Sequence, residues 1–355
     1  MRHTSLSFLR RLARAAFPAA CLGVMVAMAV PHLAAAQQTR GSTQAQPGPR
    51  TIIPGARVVS RDSVLGMVSG GLAGTYIRIA NDLAGLFETP DSTLRVLPIV
   101  SKGSLQNISD LFNLTDVDVA ITQADVLTYL RQNQVITANN VSIGYIAKLY
   151  EEEIHVLAAA DITALADLDG KKVNYDSRGS GTSLTASVIF KSLGIKPDAN
   201  YDDQETALAK LKRGEISALV YVSGKPARLF ADASQTPGLH LLPIPLNPAL
   251  LETYSPTQFT PADYPGLVPA GATVDTLAVG AVMAVYNWPP GSYRYARLTR
   301  FVDQVFDNLG TLQKPGHHPK WHDVSLTAQV PGWTRFPAAT QWLQRHGSPA
   351  EAAAR

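Results

Sequence analysis

Apolar positions along the chain recur in one order: a short hydrophobic run, a turn of small residues, then apolar residues spaced three to four apart. Val64–Val68 is a run of the first kind, of a length that suits a buried strand. It leads into Ser69-Gly70-Gly71-Leu72-Ala73-Gly74-Thr75, after which Tyr76, Ile79, Ala80, Leu83, Leu86 and Phe87 share one helical face. The order returns with strand Leu94–Val100, turn Ser101–Ser104, and helix residues Leu105, Ile108, Leu111 and Phe112. Strand Val117–Ile121 follows, ending at Thr122-Gln123. A third instance runs from strand Lys172–Tyr175 through Ser177-Arg178-Gly179-Ser180-Gly181-Thr182 to a helix with Leu184, Val188 and Ile189. Helix Thr206–Arg213 then precedes strand Ala218–Val222 and the turn Ser223-Gly224-Lys225-Pro226. Strands alternating with helices predict an α/β fold with largely parallel sheets. No repeat of solenoid length is visible.

The alternation also predicts where a ligand sits. In open α/β sheets ligands gather beyond the carboxyl ends of the strands, where helix N-termini point. Each Gly/Ser/Thr turn above lies at such an end. Small residues let a backbone approach a ligand, and hydroxyls both cap helices and face outward. Each turn by itself is equally read as a tight turn with a cap; the case for a site rests on several in register.

Composition changes the picture at the N-terminus. The formal charge is +3 and the single cysteine is Cys21. Arg2, Arg10, Arg11 and Arg14 form a basic stretch, Ala15–Val30 is apolar, and Ala34-Ala35-Ala36 follows. That is the layout of a cleaved export signal over residues 1–36. The apolar run contains Pro18 and Gly23 and falls short of the roughly 20 residues that span a bilayer. Without the signal the chain is close to neutral and has no thiol. A disulfide framework, thiolate metal sites and a cysteine nucleophile are thereby excluded. Nucleic acid is excluded as a partner because no basic run remains. A periplasmic location is expected. Residues 37–57 are polar and rich in Gly and Pro and read as a flexible linker, and residues 345–355 as a disordered tail.

Catalytic signatures are missing. No Gly-Lys pair completes a Walker loop, because Gly170-Lys171-Lys172 lacks the Ser/Thr. Gly70-Gly71-Leu72-Ala73-Gly74 does not fit a dinucleotide fingerprint, and Ser180 lacks the spacing of a nucleophile elbow. The cluster His317, His318 and His322 is interrupted by Pro319 and reads as a surface loop rather than a metal site. Asp202-Asp203 reads as a helix cap and a first-turn acid. No enzyme activity, cofactor or metal is expected. Lys102, Arg178 and Lys225 lie in or beside the turns and Arg78 one helical turn beyond the first. With the helix N-termini they predict an anionic ligand, most simply a carboxylate.

Several segments in order resemble the TAXI family, the solute-receptor subunits of TRAP transporters. They are Ser69–Tyr76, Ser101–Asn107, Asp118–Asp125, Ala147–Glu151, Asp167–Val173 leading to Gly179–Thr182, and Gly214–Ala218 with Gly224-Lys225-Pro226. The chain departs from the family pattern at Leu72 and Ala73, where Thr and Gly are usual, and at Ile77-Arg78, where Tyr-Pro is common. The resemblance implies a periplasmic-binding-protein-like fold: two α/β lobes, a hinge and a central ligand cleft. Lobe 1 would hold residues 58–155 and 275–344, and lobe 2 residues 156–274, with Thr276–Tyr286 re-entering lobe 1 as a strand or helix.

It further implies a receptor that captures a small organic anion, a carboxylate or an amino acid such as glutamate, and delivers it to a membrane permease. The alternative is a ligand-sensing subunit for a receptor kinase or chemoreceptor. A monomer is expected. The implied ligand-binding residues are Gly71, Thr75 and Tyr76 from the first loop, Ser104 and Asn107 from the second, and Gln123 at a strand end. Gly179, Ser180, Gly181 and Thr182 come from the third loop and Gly224 from the fourth. Tyr76 would pack over the ligand's carbon chain. Ser104→Ala and Thr182→Ala are expected to weaken binding with little loss of stability.

Overall fold

The computed structural model describes residues 63–89, 92–135, 142–231, 233 and 236–347; the expected export signal and linker lie outside them. In chain order the elements begin with β1 (Val64–Val68), α1 (Thr75–Leu86), β2 (Arg95–Ile99), α2 (Ser104–Asn113), β3 (Val119–Gln123) and α3 (Asp125–Gln132). They continue with β4 (Ile143–Ala158), β5 (Lys172–Asn174), α4 (Gly181–Leu193), β6 (Asp198–Asn200), α5 (Gln204–Lys212) and β7 (Ala218–Ser223). The remainder is β8 (His240–Leu241), α6 (Pro248–Leu251), β9 (Ser255–Phe259), β10 (Val274–Tyr286), α7 (Tyr293–Asp307), α8 (Leu309–Leu312) and α9 (Pro337–His346). A 3₁₀ turn spans Pro319–Asp323.

The fold is α/β, as the alternation predicted. Strand order is β2-β1-β3-β10-β4-β7-β5-β6, with β8 on β4 and β9 on β10. The largely parallel sheet expected from the sequence is corrected. Pairing is parallel only toward the two ends, β1 with β2 and β3, and β5 with β6 and β7. At the centre β10 runs antiparallel to β3, β4 and β9, and β4 antiparallel to β7 and β8. Thr276–Tyr286, open between strand and helix, belongs to strand β10. The expected tail at 345 is also corrected, since α9 reaches His346. Its terminal turn is held by Trp342 stacked on His346 and by an Arg345–Asp303 ion pair of 2.9 Å.

Apolar side chains collect in four clusters on the two faces of the sheet, and Leu184 of α4 reaches into the one under α2 and α3. On one face of the β1–β3 half, α1, α7 and α9 bury Ile79, Leu83, Phe301 and Phe336, with Phe87 stacked on Phe301 at 5.5 Å. The opposite face carries α2 and α3, with Ile108, Leu127 and Trp333. In the β5–β7 half, α4 and α6 cover one face, where Tyr175 stacks on Phe190 at 5.4 Å. The other face holds Leu208, Phe230, Phe259 and Tyr264. Each fully buried ring contributes roughly 2–3 kcal/mol by leaving water.

His155 lies in the last cluster, stacked on Phe259 at 4.4 Å. Its Nδ1 donates to the Tyr221 carbonyl at 3.0 Å and its Nε2 accepts from the Tyr264 hydroxyl. That hydroxyl in turn accepts the Ala227 N–H at 2.7 Å, which fixes the neutral Nδ1–H tautomer. Burial pushes this imidazole down to about 3.

Among the described residues β4 and β10 are the strands that pass from one half of the sheet to the other. β4 pairs with β10 over Ile143–Glu153 and with β7 over Glu153–Ala158. A third tie crosses at Glu153, which takes the Lys225 N–H at 2.8 Å and the Lys320 ammonium at 3.1 Å. Between the halves, beside these strands, lies a cleft.

Candidate functional site

A cavity of about 370 Å³ occupies the cleft, within the range of small-molecule sites. Four helix N-termini converge on it: Gly74-Thr75 of α1, Gly103-Ser104 of α2, Gly181-Thr182 of α4 and Asp203-Gln204 of α5. They do so because each helix starts after a strand ends, as the turns predicted for α1, α2 and α4; the start of α5 was not among those turns. The caps are not equivalent. Ser180 caps α4 by accepting the Ser183 N–H at 3.0 Å, and Asp203 caps α5 by accepting from Thr206 at 3.0 Å. The caps of α1 and α2 are glycines, with no side-chain oxygen on the first turn. Side chains thus leave the first turns of α1 and α2 uncapped, and the positive ends of these helix dipoles border the cavity; of their N–H groups, that of Gln106 is taken by the Gly179 carbonyl.

The two halves touch across this cavity. The Gln106 N–H donates to the Gly179 carbonyl at 3.0 Å, and the Thr75 and Ser223 hydroxyls lie 3.2 Å apart. Gly181 packs so closely on the first half that a Cβ there would lie 2.0 Å from Gln123 Oε1 and 2.6 Å from Ser104 Oγ. Only glycine fits at that position.

The floor is polar. The Tyr76 hydroxyl donates to Glu152 Oε2 at 2.6 Å and lies 3.2 Å from Ser104 Oγ. Ser104 Oγ accepts the Gln123 N–H at 3.1 Å. Glu152 is 3 % exposed, and burial raises its carboxyl to about 8 despite the Tyr76 hydrogen bond. On the opposite wall burial raises Asp176 to about 6; this residue sits at φ 65°, a left-handed conformation that Asp tolerates.

Of the residues expected from the sequence, Gly71, Thr75, Tyr76, Ser104, Gln123, Ser180, Gly181 and Thr182 line the cavity. Asn107, Gly179 and Gly224 do not. The Asn107 amide donates to the Ile121 carbonyl at 2.6 Å and to the Ser69 carbonyl; it holds the ends of β1 and β3 together behind the loop. Gly179 contributes only the carbonyl that receives Gln106. Gly224 packs under Lys320, where an added Cβ would meet Cε at 3.0 Å. Thr182 lines the cavity, but its hydroxyl accepts the Val222 N–H at 3.1 Å. Its removal would leave that N–H without its acceptor, a role that the sequence did not suggest.

The expected cations are mostly elsewhere. Lys102 lines the cavity. Arg178 lies over the Tyr201 ring at 3.7 Å, Lys225 pairs with Asp263 at 3.2 Å, and Arg78 is exposed on α1. Asp203 is the cap that the sequence suggested, but the first-turn acid is Glu205, while Asp202 holds Lys210 at 2.6 Å. His318 caps the 3₁₀ turn Pro319–Asp323, and Asp82 accepts from its N–H and from the Trp321 indole, both at 2.8 Å. No group of metal-ligating side chains occurs among the described residues.

Sequence reasoning missed Glu152, Asp176, Gln204, Tyr221 and Ser223, all of which line the cavity. Glu152 falls one residue after the Ala147–Glu151 segment, and Ser223 was read only as the start of a turn.

A family model described as the NMT1-like family matches residues 67–330. Among solved structures, the alkanesulfonate-binding protein SsuA from Xanthomonas axonopodis pv. citri bound to MOPS is similar at 15 % identity and a TM-score of 0.45. That likeness covers 81 % of this chain and 85 % of that one. An ancestral arginine-binding protein bound to arginine is 16 % identical with a TM-score of 0.42, over 73 % and 96 % of the two chains. The GluR0 ligand-binding core from Nostoc punctiforme in complex with L-glutamate is 16 % identical with a TM-score of 0.40, over 70 % and 95 %.

Proposed function

The chain belongs to the NMT1-like family, and on that premise we propose that it is a periplasmic solute-binding receptor of the TAXI type, serving a TRAP transporter. It captures a small carboxylate or amino acid between two lobes and presents the closed form to a membrane permease. Lobe 1 comprises residues 58–155 and 275–344, lobe 2 residues 156–274, and the hinge lies in β4 and β10. The observation that carries this reading is a cavity lined from both halves by helix N-termini, two of which lack a side-chain cap.

Capture is non-covalent. A ligand carboxylate rests against the N-terminal turns of α1 and α2, near Lys102 and the Ser104 hydroxyl. Thr75 and Ser223 meet across the mouth as the lobes close. Ligand that touches both walls favours the closed form by its contacts to that form alone.

A thermal-shift screen against carboxylates and amino acids, followed by calorimetric titration, tests the proposal. A true ligand raises the unfolding midpoint, and goes on raising it with the logarithm of its concentration above Kd. Failure of every acid and amino acid in the screen to do so refutes the receptor reading. Loss of ligand uptake on deletion of the gene, restored by the protein with its permease, tests the transport role separately.

A further inference from the structure

The cavity is richer in acid than a receptor for a simple carboxylate requires. Glu152, Asp176, Asp203 and Glu205 line it, against Lys102 as the lining cation. Asp203 is committed to the cap of α5 and Glu205 is exposed on its first turn. Glu152 differs from both. It projects from the middle of β4 onto the floor, nearly out of contact with water, and no ion pair among the described residues involves it. Its Oε2 takes the Tyr76 hydroxyl, and among the described residues no protein donor reaches Oε1.

The groups around it do not neutralise it. Tyr76 faces it from α1, Asp125 from α3, Tyr221 from β7, and Tyr150 and Glu153 from its own strand. The cation that acts on it is Lys320, whose ammonium is held by Glu153 at 3.1 Å and Asp323 at 3.2 Å. The site thus holds a buried carboxyl whose ionised form lacks a counter-charge, opposite helix N-termini that favour an anion. An ammonium placed beside Oε1 would supply both the missing donor and the missing charge.

Resting on the receptor reading, we propose that Glu152 is the specificity-determining residue of the cleft, that it selects ligands bearing a protonated amine, and that it gives up a proton as that amine docks. The proton leaves the Glu152 carboxyl for solvent, and the carboxylate then accepts hydrogen bonds from the ligand ammonium and from Tyr76. The empty site keeps the carboxyl neutral near pH 7, its pKa having been raised by burial, so the proton is there to be released. A deaminated acid offers no group that would draw it off.

Calorimetry on the full mature chain at pH 7, in buffers of different ionisation enthalpy, tests this with three-member sets. Each set is an amino acid, its deaminated acid and its decarboxylated amine, for example L-glutamate, glutarate and 4-aminobutyrate, with the leucine and phenylalanine sets alongside. The expected result is that the amine-bearing members of a set bind roughly ten- to a hundredfold more tightly than the deaminated acid and release up to one proton per site. Glu152→Gln should reduce the preference to a few-fold and abolish the proton release. Wild-type proton counts decide the matter even if that variant folds poorly. Deaminated acids that bind as well as the amino acids, or binding that takes up a proton, overturn the inference and leave the receptor reading standing. If no member of any set binds, the two fall together.

Discussion

Gly181→Ala isolates cleft closure from the stability of either half. The new Cβ would lie 2.0 Å from Gln123 Oε1, 2.5 Å from its Cδ and 2.6 Å from Ser104 Oγ. Ordinary contact begins near 3.4 Å, so the walls must separate by roughly 1.4 Å at this point. Gln123 has little room to swing aside, because its side chain ends β3 at 2 % exposure and its Oε1 takes the Thr185 hydroxyl at 3.5 Å. Forcing a methyl into such a contact costs about 1–3 kcal/mol. On the proposed hinge that load falls on the closed form only, since parting the halves about β4 and β10 removes it. Affinity should therefore drop roughly 5- to 150-fold, while the ligand-free unfolding midpoint moves by less than about 3 °C. Calorimetric titration and thermal unfolding of the two proteins side by side supply both numbers. Unchanged affinity would refute closure through the Gly181–Gln123 contact. A large fall in the ligand-free midpoint would show instead that the contact belongs to the core.

Glu152→Gln should flatten the pH dependence of stability. The folded carboxyl titrates at about 8 against an ordinary 4.5, so between these values the folded chain keeps a proton that the unfolded chain has lost. The associated stability is complete below pH 4.5 and disappears as pH rises through 8, by at most about 5 kcal/mol; urea midpoints of both proteins across pH 5–9 measure it, and parallel curves would contradict the assignment. Thr182→Ala leaves the Val222 N–H without its acceptor and should cost about 1–3 kcal/mol in urea unfolding, a loss that a purely ligand-facing hydroxyl would not show. Arg297→Ala should cost about 3–5 kcal/mol, because it strands Asp118, whose carboxylate is 1 % exposed and paired with that guanidinium. A change under 1 kcal/mol would mean that Arg294, 3.6 Å away, compensates.

The strands and helices of the outer sheet were legible because each carries an unbroken period. Val64–Val68, the turn after it and the buried stripe of α1 fall where the spacing put them. The antiparallel centre was not legible, because direction depends on how β4 and β10 return and not on their local composition. Parallel and antiparallel buried strands share the same apolar run. Asn107, Gly179 and Gly224 have the residue types of ligand contacts, and their turns do border the cleft. Whether an amide or a glycine faces the cavity or the strand behind it depends on rotation about a loop, which spacing does not encode. The cations were misread for a related reason. Arg178, Lys225 and Arg78 lie near the turns in sequence, yet long side chains reach away to an aromatic face, an acid or solvent.

Glu152 shows which signal could have located the floor of the cleft. Glu151-Glu152-Glu153 reads in isolation as a solvated charge run, but it interrupts a strand of 16 residues that is apolar on either side. A strand passing through two successive cores is buried at both ends and crosses the gap between them in the middle. The run of acids falls there, and the two-residue period sends neighbours to opposite faces. Glu152 goes to the cavity, while Glu153 ties Lys225 and Lys320 on the other side. β10 carries the matching mark: its interior glycine, Gly280, pairs with Glu151, and an added Cβ there would meet Lys148 Cε at 2.9 Å. A long apolar strand with a charged centre, antiparallel to one with a central glycine, thus locates both the crossing between two α/β halves and the residue that faces what is bound between them.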